Sequence, residues 1–337
     1  MRRFRAAAAA LLFAVCLTML SGCGGKQAAD GATAPPQTTA AQTTAAPAAQ
    51  TEPATTRTTA AATKKASRAD GVPYAYTVQE LWCKNGSKNI YGKLYLPKNA
   101  PTPLPAVLLS HSFALDHTSM NAYCIDLAKQ GYAAYCFDFC GGSTSSKSDG
   151  ETTDMTIYTE VSDLEAVLQR FRSMDGIDRG QIFLLGTSQG GTVSALTAAR
   201  HVSEVRGLIL LYPGLSMAEQ VTAFFRDPDR ISDLQLSAFA LSGVPVGRAY
   251  VRALHGLDVY EAIRPYTGDV LILHGSADPV VPLSYSKRAA EVYEHAELYV
   301  IEGAGHGFNS ENMSLFGDYD DEVLPHIHAF LETHTAG

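Results

Sequence analysis

A pentapeptide in the second half of the chain, Gly186-Thr187-Ser188-Gln189-Gly190, carries the pattern G-x-S-x-G. It lies between a predicted strand at residues 182–185 and a predicted helix at residues 189–200. In a sharp turn from strand to helix, glycines relieve the crowding around a strained serine whose Oγ is exposed. We therefore predict that Ser188 is a nucleophile, the alternative being an ordinary serine in a tight turn.

A serine hydroxyl is a weak nucleophile unless a base, itself oriented by a carboxylate, activates it. Two residues much later in the chain could supply this base and this carboxylate. Asp278 follows a predicted buried strand at residues 270–273, and His306 follows another at residues 298–301. Both would lie at the carboxyl edge of a parallel sheet, where open α/β sheets bind ligands. We predict a triad of Ser188, His306 and Asp278, with a turn-forming aspartate and a structural histidine as alternatives. His274 is expected to brace its turn.

An acyl-transfer site also needs two N–H donors for the oxyanion that develops on the substrate. The amide of Gln189, which follows the nucleophile, is predicted to be one donor. The second should come from the loop after the strand that ends at Ser110, and by position we assign the Phe113 amide. Gln189 and Phe113 are therefore the predicted oxyanion hole.

The elements that must position these residues alternate between strands and helices. Segments 75–83 and 90–96 alternate like an antiparallel edge pair, and residues 106–110 form an apolar run that indicates a strand buried on both faces. Further strands are predicted at 133–137, 182–185, 208–212, 270–273 and 298–301, with helices at 120–130, 155–174, 189–200 and 285–295. This order predicts an α/β fold with a doubly wound, mostly parallel sheet of about eight strands. Residues 214–257 fit no strand and are expected to form a small cap insertion.

The N-terminal part of the chain differs in composition from the rest. Three arginines precede an apolar run at residues 6–20, which is shorter than the roughly 20 residues of a spanning helix and predicts a signal peptide at residues 1–22. Residues 23–70 are rich in Ala, Thr and Pro and predict a disordered linker, which leaves residues 71–337 for the folded domain.

Net charge and cysteine content exclude several classes of protein. The chain has a formal net charge of −8. Residues 1–68 contribute +6, from eight Lys and Arg against two acidic residues, so the remainder of the chain carries −14. Such an acidic domain argues against a nucleic-acid partner, because binding to phosphates requires a basic surface. Six cysteines in 337 residues exclude a disulfide scaffold. Those at positions 83, 124, 136 and 140 are expected to be buried thiols, a bridge between the last two being the alternative. Neither C-x-x-C nor H-E-x-x-H occurs, so we expect no metal and no cofactor.

Two family resemblances are carried by these motifs. The segment Leu20-Ser21-Gly22-Cys23 resembles the lipobox of bacterial lipoproteins, which implies lipidation of Cys23 and anchoring to the outer face of a bacterial cell membrane. Residues 74–333 resemble the α/β-hydrolases and, within them, the cinnamoyl and feruloyl esterase-like group with its serine aminopeptidase S33-like domain. The matching segments are His111-x-Phe113, Phe137-Asp138-Phe139, Ser148-Asp149-Gly150, Met155-Thr156, Gly186-x-Ser188-Gln189-Gly190-Gly191, His274-Gly275-x-x-Asp278 and Gly305-His306-Gly307-Phe308.

The second resemblance implies an esterase with a small cap that acts on esters of aromatic or other small acyl groups. Two segments depart from the family pattern: Ser112 stands where a glycine is usual, and Cys140-Gly141-Gly142 breaks the motif that is usually Gly-His-Gly after Asp-Phe-x. An aminopeptidase or acyl-peptidase of the same fold is the alternative, because three cap aspartates, Asp227, Asp229 and Asp233, could hold a free amino group. A ligand-binding lipoprotein without catalysis is a further alternative. The expected partners are a small ester and the membrane, with no obligate protein partner.

Overall fold

One sheet of eight strands organises the part of the chain that the structure, a computed structural model, describes: residues 72–239, 244–308 and 319–335. Across the sheet the order is β1-β2-β4-β3-β5-β6-β7-β8. The strands are β1 Tyr76–Asn85, β2 Lys88–Pro97, β3 Leu104–Ser110, β4 Ala133–Phe137, β5 Ile177–Thr187, β6 Gly207–Leu211, β7 Asp269–Gly275 and β8 Ala296–Ile301. The predicted doubly wound sheet is confirmed.

Strand pairing follows the hydrophobic pattern of each strand. β1 pairs with β2 and β2 with β4 in antiparallel fashion, whereas β4, β3, β5, β6, β7 and β8 are mutually parallel. All five residues of β4 and all five of β6 are buried, as strands covered by helices on both faces require. The parallel strands therefore end at one edge of the sheet, and the loops that leave this edge carry the predicted site residues.

Nine α-helices of the described residues complete the fold, with a short 3-10 helix at His117–Met120. They are α1 Asn121–Gln130, α2 Ile157–Arg172, α3 Ser188–Arg200, α4 Met217–Phe224, α5 Asp233–Phe239, α6 Arg248–Leu254, α7 Val259–Ile263, α8 Leu283–Val292 and α9 Asp320–Thr335. The helix α2 begins with a reciprocal capping pair, in which the Thr159 amide donates to Thr156 Oγ1 and the Thr156 amide donates to Thr159 Oγ1. This cap fixes the start of α2 and so the position of Glu160 in its first turn.

Each face of the sheet has its own hydrophobic core. On one face, Leu108 and Leu184 of the central strands pack with Leu164 and Phe171 of α2 and with residues of α3. On the other face, Leu109 and Leu185 of the same strands pack with residues of α1 and α9. The helices α4, α5 and α6 lie within residues 214–257, the segment that we interpret as a cap.

Two details of the sequence analysis were wrong. Residues 298–301 were expected to form a buried strand, but β8 is an edge strand with β7 as its neighbour, and Tyr299 and Val300 are exposed. The C-terminal helix α9 was missed, although Val323, Ile327 and Leu331 follow each other at helical spacing and are buried. Pro325 obscured this pattern because proline usually interrupts a helix.

The expectations for the N-terminal region, a signal peptide at 1–22, lipidation of Cys23 and a linker at 23–70, lie outside the described residues. Across residues 72–239, 244–308 and 319–335, no helix has both the length and the apolar character needed to cross a membrane. The four cysteines in these ranges are buried free thiols.

Candidate active site

Ser188 occupies a strained turn between β5 and α3. Its φ angle is +48°, in the left-handed region that residues with a side chain rarely adopt. The turn is possible because two neighbours lack a side chain: a Cβ on Gly186 would lie 2.2 Å from the Gly190 carbonyl oxygen, and one on Gly190 would lie 2.3 Å from that of Ser110. The glycines of the pentapeptide therefore let the backbone pack closely around a serine that remains partly exposed.

The side chains of Ser188, His306 and Asp278 meet at the carboxyl edge of the sheet. Ser188 Oγ lies 3.0 Å from His306 Nε2, and His306 Nδ1 lies 2.7 Å from Asp278 Oδ2. With the imidazole protonated on Nδ1, Nδ1 donates to the carboxylate and Nε2 accepts from the serine hydroxyl. This arrangement can remove the hydroxyl proton as Ser188 attacks a carbonyl carbon.

Several donors keep Asp278 ionised although its side chain is fully buried. Burial raises the pKa of Asp278, but hydrogen bonds from His274 and His306 outweigh this effect and hold the pKa well below its ordinary value. The backbone amides of Val280 and Val281 also donate to Oδ1, at 2.8 and 2.9 Å. The carboxylate is therefore a fixed negative charge that can stabilise an imidazolium on His306.

His274 braces the turn around Asp278. Its Nδ1 lies 2.7 Å from Ser286 Oγ, and its Nε2 lies 2.9 Å from the Val281 carbonyl oxygen and 3.3 Å from Asp278 Oδ2. Because the ring is buried and bonded on both nitrogens, it holds the turn after β7 against α8. The sequence analysis expected the bracing and missed the direct contact with Asp278.

The two predicted oxyanion residues lie on neighbouring segments. Gln189 is buried in the first turn of α3, and Phe113 is half-buried in the loop after β3. This loop lies directly against the turn, since a Cβ on Gly190 would also come within 2.4 Å of the His111 carbonyl oxygen. Strand register causes this proximity, because Ser110 at the end of β3 pairs with Gly186 near the end of β5.

Ser112, which replaces the usual glycine of this loop, is integrated by its hydroxyl group. Ser112 Oγ lies 2.9 Å from Thr187 Oγ1, and the Tyr212 hydroxyl interacts with both groups. Burial raises the pKa of Tyr212, so its hydroxyl stays protonated. The Tyr212 ring also packs edge-to-face on His306, with centroids 4.8 Å apart. These contacts join the loop after β3 to His306 through Tyr212, a residue that the sequence analysis missed.

Two further residues that the sequence analysis missed hold the side chain of Gln189. Gln189 Nε2 donates to Glu160 Oε2 at 2.7 Å, and the Tyr250 hydroxyl donates to Gln189 Oε1 at 2.7 Å. All three side chains are buried. Burial, together with the nearby Asp163 and against the hydrogen bond from Gln189, raises the pKa of Glu160 to about 8.

One cluster in the described ranges has donor atoms close enough for a metal ion: Asp116, His117 and Asp138. The oxygens of Asp138 already accept from the backbone amides of His117 and Lys147 and lie 2.6 Å from His117 Nδ1. Asp116 accepts from Thr118 and Ser145. These hydrogen bonds engage the carboxylate oxygens of the cluster and tie it into the surrounding loops.

This chain is similar to proteins of known sequence and structure. Residues 101–233 match the family described as serine aminopeptidase, S33. Est1E of Butyrivibrio proteoclasticus, solved with ferulic acid bound, superposes with a TM-score of 0.63 at 23% identity, covering 76% of this chain and 100% of Est1E. The chain has the α/β-hydrolase fold.

The curated relatives of this chain are distant in sequence. Human alpha/beta hydrolase domain-containing protein 17B is 27% identical over 222 residues, which cover 65% of this chain and 65% of that protein. The 2-hydroxymuconate semialdehyde hydrolase of Pseudomonas sp. (strain CF600) is 29% identical over 181 residues, covering 43% of this chain and 64% of that enzyme. The chain thus spans about two thirds of the length of these relatives.

Proposed function

We propose that this α/β-hydrolase is a serine hydrolase that cleaves carboxylic esters with small or aromatic acyl groups. The observation that carries the proposal is the hydrogen-bonded series from Ser188 Oγ to His306, at 3.0 Å, and from His306 to Asp278, at 2.7 Å. This is the geometry of a nucleophile, a base and the carboxylate that orients the base.

The reaction proceeds in two halves. Ser188 Oγ attacks the ester carbonyl while His306 Nε2 takes its proton, and the carbonyl oxygen becomes an oxyanion held by the amides of Phe113 and Gln189. Collapse of this intermediate expels the alcohol, which receives the proton from His306, and leaves an acyl group on Ser188. Water, deprotonated by His306, then attacks the acyl-enzyme and releases the acid. Asp278 fixes the tautomer of His306 throughout.

The acyl preference is inferred from aromatic residues of the cap. Phe239 of the cap and Phe113 of the loop after β3 are partly exposed, and both rings pack against Tyr250, with centroids 6.3 and 5.9 Å from its ring. An aromatic or short acyl group would gain favourable contacts with such rings. The likeness to Est1E, whose structure holds ferulic acid, supports the same choice.

An aminopeptidase is the second candidate, favoured by the match to the family described as serine aminopeptidase, S33. Such an enzyme needs a carboxylate for the free amino group of its substrate. The three cap aspartates that could supply it are each paired with an arginine, Asp227 with Arg230, Asp229 with Arg252 and Asp233 with Arg248. These pairs leave the carboxylates less suited to a substrate amine, so we favour the ester.

Fluorophosphonate labelling tests the nucleophile. Wild-type protein should be labelled on Ser188 and should hydrolyse p-nitrophenyl butyrate, whereas Ser188→Ala should lose the label and several orders of magnitude of rate. Ser194→Ala, which removes a buried hydroxyl from the same helix, is the matched control and should retain both. Retention of more than about a tenth of the rate in Ser188→Ala would contradict the assignment.

A substrate panel tests the acyl preference. We expect kcat/KM to be higher for methyl ferulate and p-nitrophenyl butyrate than for p-nitrophenyl palmitate and proline p-nitroanilide. If kcat/KM is highest for proline p-nitroanilide, the aminopeptidase replaces the esterase as the proposed function. If it is highest for p-nitrophenyl palmitate, the cap is better interpreted as the lid of a lipase.

The location of the enzyme is a separate proposal. The lipobox-like segment that ends at Cys23 supports export and lipid anchoring at the outer face of a bacterial membrane. Two or more acyl chains give durable anchoring, whereas one chain gives only marginal binding.

A further inference from the structure

We propose that Tyr250 and Glu160 are positioning residues that clamp the side chain of Gln189 and thereby orient its backbone amide toward the oxyanion. The inference rests on the proposed function, because it assigns a role within the same hydrolytic site. Neither residue reaches the reacting atoms in this account, and each acts through Gln189.

The clamp satisfies both ends of the Gln189 carboxamide. Its Nε2 donates to Glu160 of α2, and its Oε1 accepts from the Tyr250 hydroxyl of α6, each at 2.7 Å. A buried carboxamide that lost one partner would be left with an unpaired polar atom, which is costly inside a protein. The side chain is therefore confined to one rotamer between two helices that meet it from different parts of the chain.

Tyr250 contacts both predicted oxyanion residues. Its hydroxyl binds Gln189, and its ring packs against the ring of Phe113, with centroids 5.9 Å apart. The helix α6 that carries Tyr250 belongs to the cap, so one side chain transmits the position of the cap to both N–H donors. Since oxyanion stabilisation depends on donors fixed in advance, a displaced cap would lower the rate of the chemical step.

Glu160 closes the clamp from the side of the main domain. It lies on the buried face of α2, and its Oε2 accepts a hydrogen bond from Gln189 Nε2. Because burial favours the protonated acid, a glutamine at position 160 would mimic the native group and keep an oxygen acceptor for Gln189. A methionine of similar length would fill the space without a strong acceptor.

The experiment compares single-group deletions and uses the rate of phosphonylation of Ser188 by a fluorophosphonate, which needs no knowledge of the natural substrate. Tyr250→Phe should lower this rate and kcat for p-nitrophenyl butyrate by about tenfold, with KM changed less than about twofold. Tyr266→Phe is the matched control and should leave all three values unchanged. It removes a buried hydroxyl that donates to the Val205 carbonyl, before the start of β6 and so at the opposite edge of the sheet.

The Glu160 variants test whether the hydrogen bond to Gln189 is the cause. Glu160→Gln should stay within about threefold of wild type, whereas Glu160→Met should match the loss in Tyr250→Phe. The double variant Tyr250→Phe/Glu160→Met should lose less than the product of the single losses, because both act on one side chain. Thermal unfolding of each variant would separate these effects from a loss of folded protein.

Four outcomes would overturn the inference. A wild-type rate of phosphonylation in Tyr250→Phe, or an equal loss in Glu160→Gln and Glu160→Met, would refute the clamp alone. A rise in KM at unchanged kcat in Tyr250→Phe would make Tyr250 a substrate-binding residue. Absence of label on Ser188 in the wild-type protein would refute the proposed function and the clamp together.

Discussion

The buried carboxyl of Glu160 predicts how the stability of the domain changes with pH. Burial, reinforced by Asp163 and opposed by the hydrogen bond from Gln189, raises the pKa of Glu160 from an ordinary value of 4.5 to about 8. Between these two values the unfolded chain has lost the proton and the folded chain has kept it. The contribution of Glu160 to stability is therefore fully present below about pH 4.5. It falls as the pH rises from there and is lost once the pH has passed about 8.

The size of the effect follows from the two pKa values. Each unit of difference corresponds to about 1.4 kcal/mol, so the rise from 4.5 to about 8 corresponds to at most about 5 kcal/mol of unfolding free energy. Urea unfolding of wild type and Glu160→Gln at about pH 5 and about pH 9 measures it, because the carboxamide does not titrate. We expect wild type to lose about 3 to 5 kcal/mol relative to the variant across this range.

A control on the same helix isolates the buried group. Glu165 is partly exposed and pairs with Arg200, so Glu165→Gln should unfold with the pH dependence of wild type. If the stability difference between wild type and Glu160→Gln stayed constant from about pH 5 to about pH 9, Glu160 would titrate alike in both states and the argument from burial would be refuted.

Three other variants test the turn, the oxyanion loop and the anchor. Gly190→Ala should reduce kcat by at least about 100-fold, because its Cβ would lie 2.3 and 2.4 Å from the carbonyl oxygens of Ser110 and His111 and would push them away. A rate within about tenfold of that of the control variant Gly180→Ala would contradict this. Ser112→Gly should cost about 1 kcal/mol of stability through the lost bond to Thr187 and should not raise the rate, so a gain above about tenfold would show that the serine impairs the loop. Cys23→Ser should leave the protein unprocessed or released from membranes, and unchanged partitioning of the variant would refute lipid anchoring.

Local patterns predicted the sheet because each central strand is a continuous apolar run. Segment 133–137 was placed as the structure has it, since a strand buried on both faces leaves little ambiguity. Edge elements were harder to predict, as β8 shows, because their residues face both solvent and protein. The motifs around Ser188, Asp278 and His306 were visible because the proposed chemistry requires particular residue types at the ends of particular strands.

The residues that support the site were missed for a different reason. Tyr212 and Tyr250 contact the site through tertiary packing, and neither follows a pattern in its own segment. Glu160 did carry a signal: it lies at helical spacing from Ile157 and Leu164, on the buried face of α2. A charged residue at a position that periodicity assigns to the core indicates a buried partner, which here is Gln189.

The pairing of Ser110 with Gly186 has a consequence for how the proposed hydrolytic site would form during folding. Ser188 and the loop after β3 leave the sheet from adjacent positions of β5 and β3, two strands that are separated by 66 residues, from the end of β3 to the start of β5. Asp278 and His306 are synthesised later still, after β7 and β8. The side chains of the proposed triad therefore come together only when the last strand has docked, and the proposed hydrolytic activity would report completion of the sheet. Appearance of activity during refolding would accordingly follow, rather than accompany, the formation of helices, which depends on contacts closer in sequence.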